Sequence, residues 1–423
     1  MPLLRHVQHF TDKLGPGLIT GAADDDPSGI ATYSQAGAQF GAGLLWSIVF
    51  TTPLMIGVQM ISARIGWVTG QGLAASLLRV LPRWIAIALI GLLVVANTLN
   101  IGADIAAMSE ASYLMIGGPA HGQAILYGLL CALLPIVFSY ERMVRIFKWL
   151  TLALLSYVAV ILALHTQWHS VLPGTLWPSL QSGKSYWMMV VAVLGTTISP
   201  YLFFWQATQE AEIRQRLSHT DSGEPTTAFM GEHLYRIKLD TTFGMGFSNF
   251  IAFCIMLATA LTLNQNGITE IQTTREAAEA LRPIAGNFAF LMFSLGIIGT
   301  GMLAVPVLAG SAAYAVADLF KWRAGLDHRL TEARGFYGVL IAATAIGTLV
   351  DFAPVDAIRA LIWSAIVNGI IAVPIMLAMM QIASRRDVLG RFILTRRHQV
   401  LGWLATATMA AAVVGMAWDS ISG

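Results

Sequence analysis

Apolar runs of about twenty residues, the length a helix needs to cross the bilayer's hydrocarbon, alternate along the chain with short polar stretches. Eleven are read: 14–37, 43–63, 85–113, 122–140, 149–166, 186–209, 242–264, 286–313, 335–350, 357–381 and 399–417. The first is interrupted by Gly21-Ala22-Ala23-Asp24-Asp25-Asp26-Pro27-Ser28-Gly29. Each carboxylate there costs roughly 2.5–3.5 kcal/mol at mid-membrane. Proline and glycine at the same place predict a helix broken where the charges lie. Broken backbone survives at membrane depth only against protein or a wet cavity. Acid plus broken helix therefore reads as a cation site near the midplane. The sixth run is also interrupted, at Gly195-Thr196-Thr197-Ile198-Ser199-Pro200-Tyr201. Two breaks five spans apart, entered from opposite sides, predict two inverted five-helix halves, about 14–166 and 186–381, with an extra helix at 399–417. The fold class expected is an all-α polytopic membrane protein, one transmembrane domain over 1–423.

The third run carries Asn97, Asn100 and Asp104 on one helix face, at i, i+3 and i+7. Such a stripe should face the bundle interior, lining a route or bonding to a neighbouring helix. Glu110, one turn outward, is expected at the outer water. Asn368 is an isolated intramembrane amide, read as a helix–helix contact ahead of a cation contact.

Composition agrees with the pattern. Apolar residues make up 56% and charged residues 11%, against about 25% charge in soluble domains; mean hydropathy is +0.67. A net charge of +2 gives no reason to expect nucleic acid. Charge placement is more informative. With the N-terminus inside, Arg5, Lys13, Arg142, Arg145, Lys148 and most other basic residues fall on the inner side. Only Lys184, Arg275, Arg282 and Arg359 fall outside, as the positive-inside rule requires. The expectation is an integral protein of the plasma (inner) membrane, N-terminus cytoplasmic, C-terminus outside, and monomeric. Cys131 and Cys254 lie in apolar runs and read as packing residues. Trp46, Trp67, Trp168, Trp177 and Trp187 suit interfacial anchoring. No zinc-protease, phosphate-loop or nucleophile-elbow motif occurs, so no enzyme and no bound cofactor is expected.

Several stretches resemble the Nramp divalent-metal transporters. Gly15-Pro16-Gly17 leading to Asp26-Pro27, then Leu44-Leu45-Trp46, is similar to that family's first helix. Arg64-x-Gly66-x-x-Thr69-Gly70-x-x-Leu73-Ala74 resembles the end of its second, and Gly296-Ile297-Ile298-Gly299-Thr300-Gly301 its eighth. The resemblance covers about 14–390 and implies a leucine-transporter-type fold with a divalent ion, as substrate, between broken helices one and six. It also implies the site: Asp26 as principal ligand, the Thr196 carbonyl and Ser199 opposite, and Asp24 and Asp25 setting the field or holding water.

The departures fall on the family's functional residues. Gly29 stands where the family has an amide ligand, Ser199 replaces its methionine and Tyr201 its histidine. Of its acid pair on the third helix only Asp104 remains, with Ile101 at the other position; Ala365 replaces a glutamine. Losing a thioether while gaining carboxylates makes the site harder, suiting Mg²⁺ or Mn²⁺. Coupling to protons should be weak or absent, because an unperturbed tyrosine titrates near ~10. The alternative weighed is an organic-solute carrier of amino-acid type on the same fold. It is disfavoured because a substrate carboxylate would meet three aspartates.

Overall fold

The computed structural model describes residues 16–138, 152–164, 166, 168–179, 183–220, 227–352 and 356–422. The fourth and fifth predicted spans run into residues outside this set, where Arg5, Lys13, Arg142, Arg145 and Lys148 also lie. The described chain is helical. Its main helices are α1 (Pro16–Asp24), α2 (Pro27–Phe40), α3 (Leu45–Thr69), α4 (Arg83–Ile116), α5 (Ala120–Val137), α6 (Leu155–Ala163) and α7 (Lys184–Thr197). They continue with α8 (Pro200–Thr220), α9 (Thr227–Thr262), α10 (Ala289–Phe320), α11 (Arg334–Thr348), α12 (Ala357–Ala383) and α13 (Arg396–Ser422). Helices dominate because in lipid each backbone polar group must be satisfied within its own segment.

Within the described residues every predicted span overlaps helix, and both predicted breaks are present. Among the described residues, eight helical stretches are long and apolar enough to cross a membrane. One of them, Pro27–Thr69, joins the second half of the first predicted span to the second span. His121–Val137 and Leu152–Ala163 are shorter apolar helices. Eleven crossings is therefore a reading of the sequence, not a count made on the helices.

One element is longer than hydropathy suggests. The seventh span is expected at 242–264, yet α9 starts at Thr227. Its added turns carry Glu232, His233, Arg236, Lys238 and Asp240. Hydropathy measures what lipid tolerates, and a helix continues into water where its backbone bonds permit. These added turns also carry structure. His233 Nε2 lies 2.9 Å from Glu210 Oε2, both buried, and its ring stacks on Trp67 at 3.6 Å between centroids. Trp67 is thus fully buried, not an interfacial anchor. Asp240 Oδ2 accepts the Gly17 amide at 2.6 Å, closing the otherwise open N-terminus of α1.

Helix α9 packs along α1, α2 and α3; α10 lies along α4, and α7 along α12. The α7–α12 crossing needs glycine. A Cβ on Gly195 would overlap the Ala365 carbonyl oxygen and fall 2.5 Å from Gly369 N. This close approach brings Asn368 beside the breaks. At the opposite end from Gly17, Gln35 of α2 ties down the segment after α9: its Oε1 accepts from Ile271 N at 2.8 Å and its Nε2 donates to Thr269 O at 3.2 Å. Glu110 is half-buried and accepts from Thr274 N at 3.2 Å, so it holds this segment and does not simply face water.

Candidate functional site

Each break ends at a proline that opens the next helix and lacks the amide that would bond back four residues. Pro27 therefore orphans the Ala23 carbonyl, and Pro200 orphans that of Thr196. The two are satisfied differently. The Tyr201 hydroxyl, just past the second break, donates to Ala23 O at 2.9 Å and so links the two breaks. The Ser199 hydroxyl donates to Thr196 O at 3.0 Å and to Gly195 O at 2.8 Å, closing the second break on itself. Beyond that break, Gln59 Nε2 donates to Leu202 O at 2.9 Å, and Ser62 and Ser311 donate to Phe203 O and Tyr201 O.

Asp26 is the N-cap of α2, with φ −69° and ψ 169°. Its Oδ1 accepts from Gly29 N at 2.6 Å, the usual cap to the third helical residue. Its Oδ2 accepts from Asn100 Nδ2 at 3.0 Å. The same Nδ2 lies 3.3 Å from Asp104 Oδ2, and Asn368 Nδ2 is 3.4 Å from Asn100 Oδ1. Four polar residues from α2, α4 and α12 thus form one buried network. Asp26 is 3% exposed and Asp104 and Asn100 0%. Asn97 leaves the stripe: its Nδ2 donates to Leu308 O of α10 at 2.9 Å, a bond between helices.

Asp24 and Asp25 turn the other way. Ser248 of α9 lies 2.7 Å from Asp24 Oδ2 and 3.0 Å from Asp25 Oδ1. At 1% and 6% exposure these carboxylates are as dry as Asp26 but have a separate partner. Gly29 permits the close contact of α2 with α7, since a Cβ there would stand 3.2 Å from Thr196 Oγ1. Tyr33 Oη, one turn on, is 3.2 Å from Thr197 Oγ1.

The structure thus unites Asp26, Asn100, Asp104 and Asn368, links Tyr201 to the first break, and pairs Ser199 with Thr196. Ser248, Gln59, Ser62 and Ser311 were not anticipated. Ser248 and Ser311 are hydroxyls in apolar runs with nothing in their spacing to mark them, whereas Gln59 and Ser62 share one face of α3 at i and i+3, a spacing that was readable. Among the described residues no group of three His, Cys, Asp or Glu side chains is placed to hold a metal. Any ion here takes part of its shell from amides, hydroxyls, carbonyls or water.

Comparison with known proteins gives a consistent picture. The Nramp model, described as natural resistance-associated macrophage protein-like, matches residues 17–419. The divalent metal cation transporter MntH of Yersinia pestis (strain Pestoides F) is 25% identical over 399 residues, 92% of this chain and 91% of that protein. A crystal structure of the Eremococcus coleocola manganese transporter, in complex with an aromatic bis-isothiourea substituted compound, superposes with a TM-score of 0.74. It shares 16% identity and covers 96% of this chain and 86% of its own. Mhp1, a nucleobase-cation-symport-1 family transporter, superposes with a TM-score of 0.56 at 11% identity, covering 97% and 93%. The structural likenesses establish the fold, that of the leucine-transporter type.

Proposed function

The chain belongs to the Nramp family, and on that premise we propose that it carries hard divalent cations, Mn²⁺ or Mg²⁺, across a membrane. The observation that carries this reading is the buried carboxylate Asp26 at the helix break, in hydrogen-bond contact with a second helix. A dry aspartate among apolar helices is costly unless a cation compensates it. The side chains networked with Asp26 are Asn100, Asp104 and Asn368, which bring oxygen donors and no sulfur. Oxygen donors favour Mg²⁺ and Mn²⁺ over Cd²⁺. In this reading the ion is substrate, there is no resident cofactor, and the two halves, 14–166 and 186–381, alternate access to the site. The protein works as a monomer in the inner membrane with its N-terminus cytoplasmic and its C-terminus outside.

Coupling to protons is weak or absent in this proposal. Tyr201 replaces a histidine, and its hydroxyl is occupied with Ala23 O. The membrane potential supplies roughly 2.3 kcal/mol per charge per 100 mV, so a dication gains about 4.6. That suffices for accumulation. An organic solute bearing a carboxylate would face buried aspartates, and nothing in the site favours it.

The test is uptake into proteoliposomes at clamped potential, with Mg²⁺, Mn²⁺, Ca²⁺ and Cd²⁺ in competition and internal pH recorded. Saturable Mn²⁺ or Mg²⁺ entry, weak Cd²⁺ competition and a flat internal pH are expected. Preference for Cd²⁺ would overturn the hard-site reading, and acidification in step with metal entry would overturn the uncoupled one.

A further inference from the structure

We propose that the ion sits away from the second helix break, in a corner closed by α2, α4 and α12. Its protein ligands there are Asp26, Asn100, Asp104 and Asn368. This rests on the transport reading above and assigns it a shell drawn largely from residues that reading does not use.

The first support is donor and acceptor bookkeeping. Asp104 Oδ1 and Asn368 Oδ1 are buried and have no hydrogen-bond partner, in residues 0% and 2% exposed. Each belongs to a group whose other polar atom contacts the Asn100 amide, so both unpartnered oxygens border the same network. Buried acceptors left empty are expensive, and a cation satisfies two at once.

The second support is the position of Asn100. Its Nδ2 lies between two carboxylates, 3.0 Å from Asp26 Oδ2 and 3.3 Å from Asp104 Oδ2. An N–H donor between two acids occupies the place a cation would take. Turning the amide end for end exchanges its donor for its acceptor with almost no change of shape. Asn100 then offers Oδ1 to an ion, while Asn368 offers the Oδ1 that already stands without a partner. Two carboxylates balance a dication, two amides bring the oxygen count to four, and water completes an octahedron.

The third support is the closure of the second break. Thr196 O and Gly195 O share the single hydrogen of the Ser199 hydroxyl, Leu194 O accepts from Ile198 N, and Val193 O accepts from Thr197 Oγ1, so each carbonyl already has a donor on its own helix. The amide lost at Gly29 is thereby replaced from α4, and the acid at position 104 becomes a ligand.

The experiment is Mn²⁺ binding to the purified full-length protein, followed by loss of the free-ion paramagnetic resonance signal, with melting temperature as a check on folding. Asp104→Asn, which preserves shape, and Asn368→Ala should each weaken binding by roughly tenfold or more, since even outer-shell changes reach that size. Asn368→Asp adds a carboxylate and should tighten binding. Ser199→Ala should leave it within about threefold, well below a ligand's effect. Unchanged binding in Asp104→Asn and Asn368→Ala, or weaker binding in Asn368→Asp, overturns the corner site. Loss of binding in Ser199→Ala would return the ion to the second break while leaving the transport reading intact. A folded parent that binds neither Mn²⁺ nor Mg²⁺ overturns both.

Discussion

The two breaks start from the same chemistry, a proline that strips one carbonyl of its donor, and are completed in opposite ways. At the first, the orphaned Ala23 O is served by Tyr201 from the other break, and Asp26 reaches across to α4. At the second, Ser199 folds back on its own helix. The first break therefore depends on tertiary structure and is chemically open; the second is self-contained. A site for a visiting ion belongs where partners come from several helices, because only there can occupancy be communicated to more than one element.

Three substitutions would break or sharpen this contrast. The largest effect is expected from Asp26→Ala, which removes the charge linking α2 to α4. The loss of a charged ligand exceeds the roughly 10–100-fold of an outer-shell change, so saturable Mn²⁺ uptake should fall about 10²-fold or more in a protein that still folds. Undiminished uptake would show that the first break is not the ion's seat. Next is Tyr201→Phe, which leaves Ala23 O buried without a donor at a cost of about 1–3 kcal/mol. A lower melting temperature together with slower uptake is expected; an effect on melting alone would mean the link is structural only. Smallest on transport is Ser199→Ala: it also leaves a buried carbonyl, Thr196 O, without a donor, at about 1–3 kcal/mol of stability, but maximal uptake should be unchanged. If it proves as damaging as Asp26→Ala, the two breaks are equals and the contrast fails.

The breaks were legible in the sequence because acid and proline together in an apolar run are tolerated only where the helix opens onto protein or water. The α4 stripe was legible from its spacing, and the structure joins Asn100 and Asp104 to Asp26 as one face would. Asn97, on the same face, bonds to Leu308 O of α10, the helix–helix alternative that the spacing left open. A polar face tells which way a helix turns, not which of two neighbours each residue meets. Asp24 and Asp25 were grouped with Asp26 by adjacency, yet a helix end turns neighbouring side chains apart, and they face Ser248 on α9. Ser248 itself could not be read: its partners are 224 and 223 residues away, and a lone serine in an apolar helix is ordinary. Trp67 was misassigned because its distance from a span end says nothing about the His233 ring that covers it.

The bond from Gly17 N to Asp240 Oδ2 has a further consequence. With Ser248 holding Asp24 and Asp25, it fastens the short helix α1 to α9 at both ends. Parting α1 from α9 disturbs the ties of residues adjoining Asp26. Gln35 secures the segment after α9 through α2, the other half of the same span. One interrupted span is thus moored twice, each half to its own berth, and the residues at its break are the joint between the two moorings.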